Sequence, residues 1–387
     1  MAAPRPPLLT PRFARLLAAN FCFFLTFASF FLLPLHVRAL GGSERTVGFV
    51  MGMSGVAGLA SVFVVGPLLD RYGRKRFLRG GIAVMALSSF GFVFVESVGP
   101  LLFALRLVQG LAFAAGFNAS STLAVEFAPV ARRAAALGVF GVSTLTTHAL
   151  APALGELIVE AGSFGWLFVA AGTCSLIGFA IAWPLEPPPR PAPTGAPARP
   201  SAVMVASLVT VAGCGLAFGA VLTFVPTFVR DAHLGRVGTF FLAYTGAAIL
   251  TRLFGGGIGD AFERRMVIVP SIALLSVAIA GLATVTTAVG LALAAVVFGF
   301  AQGIAYPTLN AFAADQTEAS RLGRTQTLYN GAFNLGVTSG AFVLGPVVAA
   351  YGHRTMFRCA AAVAFAACAV FWTATRAPLT APRPAAD

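Results

Sequence analysis

Charge is what this sequence has least of. Of its 387 residues only 10% are Asp, Glu, Lys or Arg, far below the roughly 25% of soluble domains. With 58% hydrophobic residues and a mean hydropathy of +0.87, that shortfall excludes an ordinary water-soluble fold. Acids are scarcest, 13 against 26 Lys plus Arg, and His occurs four times. Few groups are therefore left for acid–base work. The five Cys (22, 174, 214, 359 and 368) lie inside apolar runs without metal-ligand spacing, so they read as small buried hydrophobes. No Gly-x-x-x-x-Gly-Lys-Ser/Thr loop is present to cradle a nucleotide phosphate, and no His-Glu-x-x-His pair to hold zinc. No long polar loop offers room for an enzyme or receptor domain. The chain reads as a non-enzyme with no cofactor and no metal.

What is present is a succession of apolar runs. A run of about 20 apolar residues crosses a bilayer as a helix. Twelve such spans are expected, at 14–37, 46–69, 77–95, 100–124, 134–159, 164–185, 201–229, 237–259, 266–285, 290–314, 325–350 and 355–376. The fold class is thus all-α and polytopic. The 42 Gly and 24 Pro fit that class, because neighbouring helices in a membrane re-satisfy the backbone groups that these residues free. The first run is too long for a signal-peptide core and is expected to remain as a helix.

Six spans precede the stretch from Glu186 to Pro200 and six follow it. That stretch, Glu-Pro-Pro-Pro-Arg-Pro-Ala-Pro-Thr-Gly-Ala-Pro-Ala-Arg-Pro, cannot be helical and reads as an extended linker. The expected domains are 1–185, a linker at 186–200, and 201–387. Basic residues set the orientation. With the N-terminus inside, 18 of the 26 Lys and Arg fall on cytoplasmic segments, six at outer ends, and Arg106 and Arg252 inside spans. Both termini are therefore expected in the cytoplasm, and the protein in the plasma membrane. The net charge of +13 is spread over short loops and forms no nucleic-acid-binding domain.

The densest charge lies at Gly66-Pro67-Leu68-Leu69-Asp70-Arg71-Tyr72-Gly73-Arg74-Lys75-Arg76, between the second and third spans. Its Gly-x-x-x-Asp core returns at Gly256 and Asp260. Gln109-Gly110 returns at Gln302-Gly303, and Ala151-Pro152 at Gly345-Pro346. The offsets of 190, 193 and 194 residues are read directly from the sequence. They imply a duplicated six-helix unit, and parallel repeats of this kind place a binding site near the bilayer midplane.

On these residues the chain resembles the major facilitator superfamily over essentially its whole length. Gly66, Asp70, Arg71, Gly73, Arg74 and Lys75 match that family's loop motif, Gly-x-x-x-Asp-Arg/Lys-x-Gly-Arg-Arg/Lys. Arg106-Leu107-Val108-Gln109-Gly110 resembles its Arg-x-x-Gln-Gly motif. Ala151-Pro152-Ala153-Leu154-Gly155 is similar to the Gly-Pro-x-x-Gly pattern of drug and proton antiporters, with Ala in place of the first Gly. The resemblance extends to bacterial efflux members that handle drugs, sugars or metallophores. It implies two pseudo-symmetric six-helix bundles that rock about a central cavity.

The resemblance implies that Asp70 helps shut the inner gate, where a carboxylate can meet a positive helix end and an Arg from the other half. Gly66, Arg71, Gly73 and Arg74 belong to the same latch. Asp260 is its weaker counterpart, because Ala261 and Glu263 replace the expected Arg and Gly. Glu126 and Arg132, and Asp315 in the second half, can extend this charge network or remain solvated loop charge. Arg106, buried in the fourth span, is a functional hypothesis by default; the resemblance implies proton coupling or substrate contact, and helix pairing is the alternative. His148 suits a proton switch or is a satisfied core residue, and Glu156, beyond Pro152, is a further proton-coupling candidate. The resemblance places spans one, four, seven and ten along the cavity, which makes Asn20, Phe24, Asn118, Phe224, Gln302, Tyr306 and Asn310 candidate lining residues. Asn334 and Arg252 join them; Arg252 either binds an anionic group or reaches toward the cytoplasmic network.

The leading reading is a secondary active transporter, a functional monomer, exporting a small organic molecule in exchange for protons. The two Arg in spans lean toward an anionic or zwitterionic substrate. Import of a sugar or organic acid is one alternative, and a non-transporting membrane sensor or assembly protein another. Asp70→Asn is expected to impair transport while leaving membrane insertion intact; unchanged flux in vesicles would remove the gate from this loop.

Overall fold

The structure, a computed structural model, describes residues 9–129, 132–186, 201–254, 262–317 and 322–376. Gly66, Asp70 and Arg71 fall in a helical stretch, 58–71, whose side chains lie outside the described residues, and Asp260 lies outside them altogether. Every regular element described is helical. The order is α1 Pro11–Ser29, a 3-10 turn Phe30–Leu32, α2 Leu33–Ala39, α3 Glu44–Tyr72, α4 Arg74–Gly91, α5 Pro100–Glu126, α6 Arg133–Ala161 and α7 Phe164–Ala182. After the linker come α8 Ala202–Asp231, α9 Val237–Phe254, α10 Arg264–Leu282, α11 Ala288–Asp315 and α12 Leu322–Ala374.

Among the described residues ten helical stretches are long and apolar enough to cross a membrane, α1 and α2 counting as one. The 29-residue α3 adds another. The long α12 counts twice, because it breaks at Gly352. Local chemistry explains the departures from the expected spans. Pro34 lacks an N–H and clashes with the preceding turn, and the first span tightens into its 3-10 turn just before it. Gly73 (φ 89°) separates α3 from α4 and Gly352 (φ 80°) breaks α12, both in the left-handed region where a side chain is strained. Three helix starts are capped by hydroxyls: Thr10, Ser201 and Thr287 each accept from a backbone N–H three residues on, as helix N-termini require.

The sequence repeat reappears as paired contacts. Arg74 at the start of α4 pairs with Glu126 at the end of α5. Arg264 at the start of α10 pairs with Asp315 at the end of α11, the same connection one repeat later. Next to each pair an Arg lies over an indole: Arg79 4.3 Å from the Trp183 ring and Arg265 4.2 Å from the Trp372 ring. These charges mark what is called here the connector end, where the 186–200 stretch joins the two sets of helices. The opposite, distal end carries the turns at 40–43, 162–163, 232–236 and 352.

Two antiparallel seams join helices that precede the linker to helices that follow it. Along one, α3 lies on α12; a Cβ added at Gly48 would lie 2.4 Å from the Ala341 carbonyl oxygen, and one at Gly55 only 1.8 Å from Thr338 Oγ1. Along the other, α6 lies on α9, and a Cβ on Gly238 would fall 2.8 Å from Ala153 Cα. Small residues are what allow membrane helices to approach this closely. The apolar cores follow the seams. Distal residues of the first helices, such as Phe31, Val50, Phe92 and Phe168, merge with Phe224, Phe241 and Phe298 into one cluster. A second cluster, built around Phe13, Phe23, Leu78, Leu123 and Phe140, is confined to helices before the linker.

A wedge in the seam tests this packing. Gly55→Leu is expected to lower thermal stability in detergent by the ~1–3 kcal/mol typical of overpacking. Gly80→Leu, at a position with nothing within 4 Å, is expected to change it little. Equal melting curves for the two variants would contradict the seam.

Candidate functional site

Between the seams, polar side chains meet at three depths. At the distal end Glu156, on α6, turns its carboxylate onto the first turn of α9. Its two oxygens accept from the backbone N–H groups of Val237 and Gly238, each at 2.9 Å. A helix N-terminus carries unpaired N–H groups and about half a positive charge, so this carboxylate closes one seam as a cap supplied from the other repeat. Arg236 adds a 2.8 Å ion pair to Glu160 alongside. Glu156, expected to take part in proton coupling, thus holds a contact between the two repeats.

The α3–α12 seam closes at the same end with a second polar group. Glu44, buried at the start of α3, pairs with Arg38 at 3.3 Å and accepts from Thr227 Oγ1 at 3.2 Å. Thr227 also lies 2.9 Å from His353 Nε2, just past the Gly352 break, and Asp231 lies 3.9 Å from the same imidazole. Glu44, Asp231 and His353 are close enough to share a cation. Arg38, however, already occupies the Glu44 carboxylate, and the chemistry here is that of an ion-pair network. A small cavity, lined by Leu35, Arg38, Ala39, Thr227, Arg230 and Asp231, opens beside it.

Deeper along α6 and α9, His148 Nδ1 lies 2.7 Å from the Tyr244 hydroxyl, a hydrogen bond between the two repeats. The imidazole edge also meets the Phe31 ring at 5.0 Å. His148 is therefore a bridging residue of the seam. Nearer the connector end, Arg252 lies against α6 at Gly141, whose missing side chain leaves its guanidinium room: a Cβ there would be 3.6 Å from one Nη. Tyr244, Tyr306 and Tyr329 are within electrostatic reach of it.

The two Arg in spans differ sharply. Arg106 is 2% exposed, yet it donates to Gln109 Oε1 at 2.8 Å, Ser54 Oγ at 3.0 Å and the Val50 carbonyl at 3.4 Å, tying α5 to α3. Arg252 makes no hydrogen bond and no ion pair among the described residues, and its Nε is buried without a partner.

The remaining candidates divide by depth. Asn20 is fully buried, accepting from Ser120 Oγ at 2.9 Å and donating to Thr144 Oγ1 at 3.3 Å, so it ties together α1, α5 and α6. Phe24 packs against Phe23, Phe27, Phe113 and Phe117. Phe224 is buried in the distal seam near Gly48 and Gly345. Tyr306 donates to Asn330 Oδ1 at 2.9 Å, and Asn310 accepts from Gln326 at 2.8 Å. Asn118 is half-buried, Asn334 exposed and Gln302 buried. At the connector end, Arg74, Glu126 and Asp315 take the ion pairs already described, and Arg132 begins α6.

Outside the spans, Lys75 donates to Glu186 and fixes the start of the linker. That hydrogen bond and charge, with Arg79 and Arg12 further off, hold the Glu186 carboxyl below its usual range. A depressed carboxylate favours the folded state above its ordinary pKa, so the tether loosens only as pH falls through the lowered value. Its exposure keeps the contribution small.

Sequence reasoning missed Glu44, His353 and Tyr244. Glu44 and His353 lie at turns between spans, where polar residues are ordinary, and a single Tyr in an apolar run carries no pattern. Only a cross-seam contact distinguishes them.

The geometry defines an all-helical membrane protein in which a few polar contacts join helices before residue 186 to helices after residue 200. The family model described as Major Facilitator Superfamily matches residues 16–244 and 208–387, and the chain belongs to that superfamily, a class of transporters. It is 24% identical over 355 residues to the multi-drug resistance efflux pump PmrA homolog of Lactococcus lactis, covering 85% of this chain and 86% of that protein. It is 32% identical over 104 residues to the 4-hydroxybenzoate transporter PcaK of Pseudomonas putida, 27% of this chain and 23% of that one. Its fold matches a bacterial homolog of the human lysosomal transporter Spinster, crystallised inward-facing and occupied, with TM-score 0.82 and 13% identity over 97% of this chain and 98% of that one.

The His148–Tyr244 bond is testable by a double-mutant cycle. Tyr244→Phe and His148→Ala are expected to show a coupling of about 1 kcal/mol in stability. His148→Ala is also expected to flatten the pH dependence of transport. An unchanged pH profile would move coupling to Glu156 or Arg106.

Proposed function

We propose that this protein is a proton-driven exporter of small organic molecules, in which the bundle 1–185 rocks against the bundle 201–387 about the linker 186–200. The observation that carries the reading is the distribution of contacts between the two bundles. Among the described residues they run from the distal end, at Glu44 and Glu156, to Gly55 and Arg252. At the connector end, the ion pairs Arg74–Glu126 and Arg264–Asp315 each stay within one bundle. The distal contacts are fastenings that must break and re-form in one limb of an alternating-access cycle. The Lys and Arg bias supports a cytoplasmic connector end, so the distal fastenings are the ones an export substrate must pass on its way out.

Proton coupling is then a matter of the fastenings. A proton on Glu156 removes the charge that caps α9, and a proton on His148 changes its bond to Tyr244. Either event weakens a contact that must break before the distal end opens. In that open state the Asp70 loop is the counterpart latch at the connector end. The likeness over most of the chain to an efflux pump supports export. The shorter match to a 4-hydroxybenzoate transporter supports the alternative, movement of an organic acid in either direction.

Inverted membrane vesicles separate these readings. An imposed pH gradient, acid inside, is expected to drive substrate accumulation that a protonophore abolishes and that Glu156→Gln reduces several-fold. Accumulation insensitive to the protonophore would point to facilitated movement. No flux of any compound would point to a sensor or assembly role.

A further inference from the structure

We infer that Arg252 is the receptor for the negative charge of the substrate, and that the substrate is an organic monoanion, a carboxylate on an apolar or aromatic body. The inference rests on the transport reading above and adds the chemical class of what is carried.

A guanidinium within a membrane is retained at a large energetic penalty unless something answers its charge. Arg106 shows what a structural solution looks like here: three oxygen acceptors from α3 and its own helix surround it. Arg79 and Arg265, near the connector end, lie over indole rings. Arg252 has neither arrangement. Its Nε is buried and unpartnered, as are those of Arg79 and Arg265, but among the described residues neither an acceptor nor a ring face meets its guanidinium. The nearby tyrosines do not supply an anion. Tyr306 donates to Asn330, Tyr329 donates to the Tyr306 carbonyl, and the Tyr244 hydroxyl is bonded to His148. The unmet group must therefore be answered by something that comes and goes.

The form of the vacancy specifies the partner. Nε–H with a neighbouring Nη–H presents two parallel donors, the geometry that a planar carboxylate accepts in bidentate fashion. Arg106 is already engaged, which leaves one cation to neutralise one negative charge and disfavours a dianion such as a phosphate monoester. The surroundings are aromatic. Phe113, Phe117 and Phe140 form a stack whose centroids are 5.6 and 6.4 Å apart. Phe140 precedes Gly141, against which Arg252 lies, and is buried in the core of the first bundle. On the other side stand Tyr306, Tyr329 and Phe333, with Tyr306 4.8 Å from the Phe333 ring. An apolar body attached to the carboxylate would find ring faces at Tyr306 and Phe333. Gly141 belongs to α6 and Arg252 to α9, so a bound anion also bears on the seam that must reorganise in transport.

The test is flux in proteoliposomes. Benzoate, 3-phenylpropionate and octanoate are compared with the amides of the same acids and with benzylammonium. The wild type is expected to move at least one carboxylate and to leave its amide behind. Arg252→Gln is expected to cut that flux about tenfold or more, the effect of losing one charge-assisted interaction worth ~1.4 kcal/mol or above. Arg252→Lys, which keeps the charge and loses the fork, is expected to fall between the two. Equal carboxylate flux in the wild type and Arg252→Gln overturns the assignment. Flux of benzylammonium or the amides without the carboxylates also overturns it and leaves the transport reading standing. If correctly inserted protein moves none of the probes, the assignment falls, and the vesicle assay above decides the transport reading separately.

Discussion

Helices in a membrane gain little from excluding water from one another, so how closely their backbones approach governs what holds them together. In this protein that approach is set by glycine at the two seams. Gly48, Gly52 and Gly55 on α3 meet Ala341, Phe342 and Thr338 on α12, and Gly238 on α9 meets Ala153 on α6. Everything functional on the page hangs from these lines. The Glu156 cap reaches the N–H groups of α9 because Gly238 lets that helix lie against α6. The His148–Tyr244 bond and the contact of Arg252 with Gly141 follow further along the same pair. A seam of larger side chains would hold the helices apart and leave each of these polar groups without its partner.

A close seam is strong only while it is complete, which suits a molecule that must part and re-form. Dispersion contacts fall away within an ångström of separation, and a hydrogen bond in a poorly polar setting is expensive to leave unmade. The distal end combines both: an apolar cluster drawn from the two repeats and carboxylates whose partners lie across the seam. Opening it requires that these groups be satisfied in some other way. Protonation is one way for a carboxylate, because a neutral acid no longer needs the helix end that now answers its charge.

The fold was largely legible in the sequence because it is written in run length and repetition, which survive without contacts. Helix lengths, the break near 350 and the duplicated motifs all follow from patterns along the chain. The duplication is if anything clearer in the contacts: Arg74–Glu126 and Arg264–Asp315 were single charges in the sequence and are one connection made twice in space. Individual roles were less legible. His148 and Glu156 were chosen as titratable groups near the cavity, and what the sequence could not contain was the residue opposite each of them, Tyr244 and the start of α9. Arg106 and Arg252 looked alike as buried cations. Their difference lies in the acceptors that α3 and Gln109 supply to Arg106.

That difference bears on how such a protein can be selective with so few charges. A cavity rich in carboxylates would attract organic cations through long-range charge alone. Here none of the described carboxylates approaches Arg252, and those at the distal seam are already answered by Arg38, Thr227, Arg236 and helix N–H groups. If Arg252 receives the substrate's charge, selectivity arises at short range, from a guanidinium fork. A substrate that lacks the complementary oxygens leaves the fork unmet and gains nothing from entering. One that has them trades its own water for a fixed pair of donors and at the same time relieves a buried cation that no described acceptor answers. Economy of charge is thereby a source of discrimination, since a single unpaired group in an apolar seam tells charged from neutral more sharply than a dispersed field could.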